Sequence, residues 1–378
     1  MFDILFENAR LANGEIKHIA ITDKKITSIH QENGLAAKRV IDLKGQTYLS
    51  AGWIDSHVHC NPNSPIYFDD PDAIGIAGGV TTVIDAGSTG ADDIDAFRLL
   101  CKKYKTNVKA LLNISRIGLI TQHELANLND IDIPLAGQTI CKHCEFILGI
   151  KARMSGSVIG DNGLKPLEMA KQIQRENNNI PLMVHFGNKP PMVDNILEYL
   201  GQGDILTHCY HGKPNGILTP EGQLRNATKA ALDRGMVLDV GHGGASFSFK
   251  IAKQAMDINI YPNTISSDIY CKNRINGPVY GLAAVMSKFL MLGMSLEKII
   301  TSVTSNVSTT FKIANKGRLE VGYDADLTLF NISNQPQNAL DSEGVSQICQ
   351  QNFVPLAAVV AGELFPTREG ESNHDIDL

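Results

Sequence analysis

Gly52-Trp53-Ile54-Asp55-Ser56-His57-Val58-His59 runs from a glycine through apolar side chains into two histidines one valine apart. Residues two apart on a strand project from one face, so His57 and His59 can grip a single ion at the strand's carboxyl end. Taken alone, the pair reads equally well as two half-buried histidines. The chain downstream decides between them. Apolar runs alternate there with helix-like segments: Thr81–Asp85, Val108–Ile114, Phe146–Ile150, Pro181–Val184, Asp204–Leu206, Met236–Val240 and Asn263–Ser266. Continuous runs of this kind suit strands covered on both faces. With the run ending at His59 as the first, the ends fall near residues 59, 86, 115, 151, 185, 208, 240 and 268, a spacing of roughly 30 residues, one strand–helix unit. Eight such units predict a (β/α)8 TIM barrel, class α/β. A doubly wound open sheet is the alternative, but Gly87-Ser88-Thr89-Gly90 lacks the glycine spacing of a dinucleotide fingerprint.

Polar residues recur where these runs end. Lys151 closes the fourth, His185 the fifth, His208 the sixth and Asp268 the eighth. In a barrel the carboxyl ends of the strands converge on one mouth, where catalytic groups gather, whereas the interior below takes branched apolar side chains. Lys151 follows Phe146-Ile147-Leu148-Gly149-Ile150, which draws its ammonium out of water at considerable cost. It can snorkel to solvent, act as a Schiff-base nucleophile, or carry CO2 as a carbamate bridging two metals. Four histidines and a carboxylate at neighbouring strand ends favour the carbamate.

The flanks differ. Asp3–Phe6, Ile16–Thr22, Lys25–Ile29 and Arg39–Asp42 read as short strands, with turns at Asn13-Gly14 and Asp23-Lys24. Arg318–Gly322, Leu327–Phe330 and Ala357–Val360 read likewise, around a polar stretch from Asn331 to Ser342. Residues 1–50 and 316–378 are therefore expected to build one small β-sandwich beside a barrel of residues 51–315.

The 34 Lys and Arg against 40 Asp and Glu leave a net charge of −6 over 378 residues, with no basic run. Phosphate-tracking surfaces need clustered positive charge, so nucleic acid is not an expected partner. Tyr280–Leu296, the longest apolar stretch, is broken by Ser287 and Lys288 and is short of the ~20 residues of a membrane span. Met1–Gly14 shows no secretory pattern. Seven dispersed cysteines then point to reduced thiols and a cytoplasmic protein. Cys141 and Cys144 form a lone CxxC without a second pair at zinc spacing. His18, His30, His123 and His374 lie outside the strand ends and read as surface histidines.

The set Gly52–His59, Lys151, His185, His208 and Asp268, with Gly317–Leu327 near the end, resembles the amidohydrolase superfamily, in particular its binuclear members with a carboxylated lysine. The resemblance covers nearly the whole chain. It implies two divalent metal ions, zinc by default. His57, His59 and Asp268 hold one, His185 and His208 the other, and carboxylated Lys151 bridges them, with Asp268 as the catalytic proton carrier. Lys151–Ser155, Thr207–Gly212 and Gly241–Phe249 are similar to a deacetylase-like group often labelled dihydroorotase or adenine deaminase. That implies hydrolysis of an acyl ester or amide of a small carboxylate-bearing substrate, with Arg153 as the candidate substrate-binding cation. Dihydroorotase-like enzymes place an arginine where this chain has Asn61, which speaks against that activity. Ring opening or deamination is the alternative reading, and a non-catalytic scaffold a lesser one. A homo-oligomer is the statistical default.

Overall fold

The computed structural model describes residues 1–31, 35–372, 376 and 378, so His374 lies outside the described residues. Five strands open the chain: β1 (Phe2–Arg10), β2 (Ile16–Thr22), β3 (Lys25–His30), β4 (Ala37–Asp42) and β5 (Tyr48–Ala51). Asp23 and Lys24, which join β2 to β3, have φ of 49° and 66°, the left-handed pair that matches a two-residue hairpin to the twist of its strands.

The parallel strands follow: β6 (Trp53–Val58), β7 (Val80–Ala86), β8 (Asn107–Asn113), β9 (Ile147–Arg153), β10 (Leu182–His185), β11 (Asp204–Thr207) and β12 (Val237–Leu238). They pair in sequential order, β6 to β12. Helices separate them and are started by local chemistry. Asp132 caps the helix Ile133–Lys142 by accepting from Leu135 N, with proline in the first turn, where its missing N–H costs nothing. In the helix Lys165–Glu176, Leu167, Ala170, Ile173 and Gln174 make the buried stripe that a 3.6-residue period lays on one face. Inside the barrel, Ile54, Ile84, Leu111, Met183 and Ile205 pack with Val307 and Phe311.

The eighth unit is not a regular strand. Thr264–Ile269 closes the ring through single bridges, Asp239 to Thr264 and Val58 to Ile269. Backbone bonds run from His242 N to Ser266 O, from Asp268 N to His57 O and from His59 N to Ile269 O. Ser266 and Ser267 turn their hydroxyls to buried Asp239 and Asp55, and Asp268 is left-handed, with φ 50°, so the ladder is traded for side-chain contacts at the site.

After the barrel the chain forms β13 (Leu327–Ser333), β14 (Gln337–Leu340), β15 (Ser346–Cys349), β16 (Asn352–Val360) and β17 (Glu363–Pro366). The terminal sheet runs β17-β16-β13-β5-β1-β2-β3, with β4 beside β1, and so draws strands from both ends of the chain. Phe6, Ile19, Ile21, Leu327 and Val359 share its core. Arg318–Gly322 is not a strand; left-handed Gly317 and Gly322 bend it, and it docks through Gly322 N to Ile26 O. The polar stretch instead ends in β14, which pairs with β15 and buries Ala339 and Cys349. His18 is also not a surface residue: it is 3% exposed and its ring stacks on His30. Among the described residues no helix is long and apolar enough to cross a membrane.

Candidate metal centre

His57 sits near the end of β6 and His59 one residue past it, Lys151 lies within β9, His185 ends β10, His208 follows β11, and Asp268 lies on the closing segment. All six line one cavity of about 410 Å³ at the carboxyl ends of the strands, and Arg153 lines it too. Period-two alternation puts Lys151 and Arg153 on the same face of β9. The register of β9 with β10 sets Met183 beside Lys151 and His185 beside Arg153.

The tightest group is His57, His208 and Asp268, whose ligand atoms all lie within 4.8 Å of one another. Asp268 Oδ1 is 3.4 Å from His57 Nε2 and 3.3 Å from His59 Nε2. The His185 and His208 rings stand edge to face with centroids 4.5 Å apart. Lys151 Nζ is 3.1 Å from His57 Nε2 and 3.2 Å from Met183 Sδ. Arg153 turns partly away: its guanidinium donates to both carboxylate oxygens of buried Glu124 and to Gln122.

Each imidazole is tethered from outside by one nitrogen, and in His57 and His59 the other nitrogen faces Asp268, with Lys151 also beside that of His57. Thr207 Oγ1 donates to Asp239 Oδ2 at 2.7 Å, so it accepts from His57 Nδ1 at 2.8 Å. His208 Nδ1 donates to Gly241 O at 2.6 Å. His59 Nδ1 meets Ser88 Oγ at 2.9 Å, and His185 Nε2 meets Ser155 Oγ at 3.0 Å. Such outer partners fix tautomer and ring orientation in metal sites. The sequence reading missed them. Asp239 also accepts from Thr264 and Ser266, Asp85 accepts from Ser88 N and Cys60 N, and Asp55 from Ser267 N. The available signal was an acid within or closing an apolar run, in Asp55, Asp85 and Asp239 alike.

Electrostatics follow from burial. Burial pushes Lys151 down to about 7, against the pull of Asp268. Burial, with Lys151 beside it, takes His57 down to about 4. Burial alone would raise Asp268, but His57, His59 and His208 outweigh it and hold the carboxyl below its ordinary range. The centre is built with strain. His208, at φ 67°, and Asp268 are left-handed non-glycine residues, a conformation that costs of order 1–3 kcal/mol each and persists where the surroundings enforce it. Glycines make the room: a Cβ on Gly87 would stand 2.8 Å from Lys151 Cβ, and one on Gly241 2.3 Å from Thr207 Oγ1.

A sequence family described as a deacetylase-like composite domain matches residues 319–366. A deacetylase of Enterococcus faecalis is 45% identical over 365 residues, 96% of this chain and 99% of the relative. A deacetylase of Brucella anthropi is 36% identical over 346 residues, 90% of this chain and 85% of that one. Among solved structures, one described as an adenine deaminase superposes with a TM-score of 0.95 at 44% identity, covering 97% of this chain and all of that one. One described as a dihydroorotase reaches 0.89 at 32% identity, covering 97% and 99%. The barrel, its two-ended sheet and these likenesses define an amidohydrolase, a class of hydrolytic enzymes. Within that class the chain belongs to the deacetylase-like family.

Proposed function

We propose that the protein is a binuclear metal-dependent hydrolase that removes an acyl group, such as acetyl, from the ester oxygen or amide nitrogen of a small carboxylate-bearing substrate. The observation that carries this reading is the rim itself: four imidazoles, each tethered from outside by one nitrogen, gathered with one carboxylate and a buried lysine on a single cavity.

The residues present fit a pair of metal ions. Lys151 is 1% exposed, and no described carboxylate lies within ion-pair distance of its Nζ. As a bare ammonium it is poorly placed among imidazoles. Carboxylated, it becomes an anion with two oxygens, able to hold two cations at once. His57, His59 and Asp268 would hold one ion, His185 and His208 the second, and carboxylated Lys151 both. Nitrogen and oxygen donors of this kind suit zinc. Bound there, the ions supply Lewis acidity, which polarises an acyl carbonyl and brings the pKa of water toward neutrality. Asp268, kept ionised by its histidine neighbours, accepts a proton from the attacking water and returns it to the departing oxygen or nitrogen. The substrate's carboxylate faces the side of the cavity that Arg153 lines. Seven free thiols support a reducing, cytoplasmic setting.

Two features favour acyl hydrolysis over the alternatives. Asn61, where a ring-opening enzyme of the dihydroorotase kind would need a cation, spends its side chain on Asn63 N in a local turn and is absent from the cavity lining. Among the described residues lining the cavity, Asp268 is the sole carboxylate, whereas deamination of a purine calls for a second acid to protonate the ring. The test is acetate release by zinc-loaded protein, grown with bicarbonate, across N-acetyl and O-acetyl 2-substituted carboxylic acids of both hands, beside Asp268→Asn. Turnover abolished in the variant is expected. No release from any member with two metals bound would shift the reading to ring opening or deamination.

A further inference from the structure

Besides Lys151, the cavity lining carries three cations, Arg153, Lys213 and Lys272. Their circumstances differ. Arg153 NH1 is 3.2 Å from each carboxylate oxygen of Glu124, and NH2 is 3.3 Å from Gln122 Oε1, so its charge is largely matched by a carboxylate that is itself buried. Lys272 is exposed on the short helix Cys271–Ile275. Lys213 is half-buried, yet no described residue sets a carboxylate or carbonyl oxygen against its Nζ. Burial and the nearby Arg153 both push its amine down. An unpaired cation drawn out of water is costly unless something else pairs with it.

The fold holds Lys213 in that position. Its backbone N–H donates to His211 Nδ1 at 3.1 Å. That ring, kept neutral because burial takes it down to about 3, packs on Phe186 with centroids 4.5 Å apart. The amine lies over Gly187, where a Cβ would stand 3.2 Å from Nζ and 3.0 Å from Ser155 Oγ. Ser155 is the tether of His185. The free ammonium therefore hangs on the His185 side of the rim, and Gly187 leaves it space.

Resting on the acyl-hydrolase reading above, we infer that Lys213 is the anion subsite of this cavity: its ammonium takes the carboxylate of a 2-acyloxy or 2-acylamino acid while the acyl carbonyl lies toward His57 and Asp268. Arg153, bound to Glu124, contributes charge from behind.

The experiment compares kcat/KM of zinc-loaded wild type, Lys213→Met, Lys213→Arg and Arg153→Met on O-acetyl-lactate and on its methyl ester, together with inhibition by lactate. A charge-assisted hydrogen bond lost from binding is worth roughly 10- to 100-fold. Lys213→Met is expected to lower the preference for the anion over the ester by that factor, mainly through KM, and to weaken lactate inhibition in parallel. Lys213→Arg restores most of both. Equal losses on the two substrates, or a lost preference confined to Arg153→Met, would overturn the assignment. Should wild type hydrolyse neither substrate, the acyl-hydrolase reading itself fails, and lactate binding to zinc-loaded protein still decides Lys213: affinity unchanged in Lys213→Met overturns it.

Discussion

A Cβ placed on Gly243 would lie 2.3 Å from Asp268 Oδ2. The glycine is left-handed at φ 54°, its N–H donates to Ser267 O, and its carbonyl accepts from Ser342 Oγ at 3.0 Å. With the backbone held on both sides, the group that must yield to a side chain is the Asp268 carboxylate. With Asp268 as the proposed proton carrier, Gly243→Ala is expected to lower kcat by about 100-fold, the cost of displacing a reacting group by roughly 1 Å, while backbone strain costs only about 1–2 kcal/mol. Steady-state kinetics set beside thermal unfolding check this. A variant that loses stability but keeps its kcat would place the tolerance in the loop and not in the carboxylate.

Asp239 acts on His57 from behind. Its Oδ2 takes the protons of Thr207 and Ser266, and its Oδ1 that of Thr264. Thr207, so committed, can only accept from His57 Nδ1, which leaves the lone pair of Nε2 for the proposed metal. Asp239→Asn turns one acceptor into a donor among hydroxyls that already donate. Metal affinity is expected to fall 10- to 100-fold, the usual effect of losing an outer partner. Titration of apoprotein with zinc measures it. Thr207→Ser, which keeps the relay, should retain near-normal affinity.

These two relationships mark where sequence reading stops. The apolar runs carry the barrel, because strands covered on both faces must be apolar throughout while the rim need not be; that His57, His59, Lys151, His185, His208 and Asp268 gather on one cavity was legible for that reason. The eighth strand was legible only in place. Its ladder breaks where Ser266, Ser267 and left-handed Asp268 serve the site, and no local propensity encodes that. The β14–β15 hairpin was missed because its buried residues, Ala339 and Cys349, are too few to set a period. The pairing of Arg153 with Glu124 was equally invisible, since it joins residues on separate elements whose contact depends on the curvature of the barrel.

Lys151 gives a prediction with two signs. Chelation should abolish acyl hydrolysis and lower Tm, since an ion bound to the folded state alone stabilises it by mass action. Zinc with bicarbonate should restore both. Lys151→Met never regains activity, yet its metal-free form is expected to unfold no more readily than metal-free wild type, because the substitution keeps the apolar stem and removes a buried cation without a carboxylate partner. Intact mass under native conditions should find wild type heavier by one CO2 and the variant not. A metal-free variant markedly less stable than metal-free wild type would mean that the amine is stabilised where it lies.

His211 predicts a pH dependence apart from the metal rim. Burial takes the ring down to about 3, whereas in the unfolded chain it titrates near 6.5. Below 6.5 the unfolded state thus binds a proton that the folded state refuses, and stability falls as pH drops, by up to about 1.4 kcal/mol per unit until pH nears 3. His211→Gln removes that contribution while leaving an oxygen to accept from Lys213 N. Between pH 7 and pH 5, wild type should therefore lose about 2 kcal/mol more than the variant, an estimate that denaturant unfolding at the two pH values checks. The other buried histidines, including His57 at about 4, act on both proteins alike and cancel in the comparison. Equal losses would mean that His211 accepts a proton without leaving the fold, and the neutral acceptor that directs Lys213 into the cavity would then be charged at pH 5.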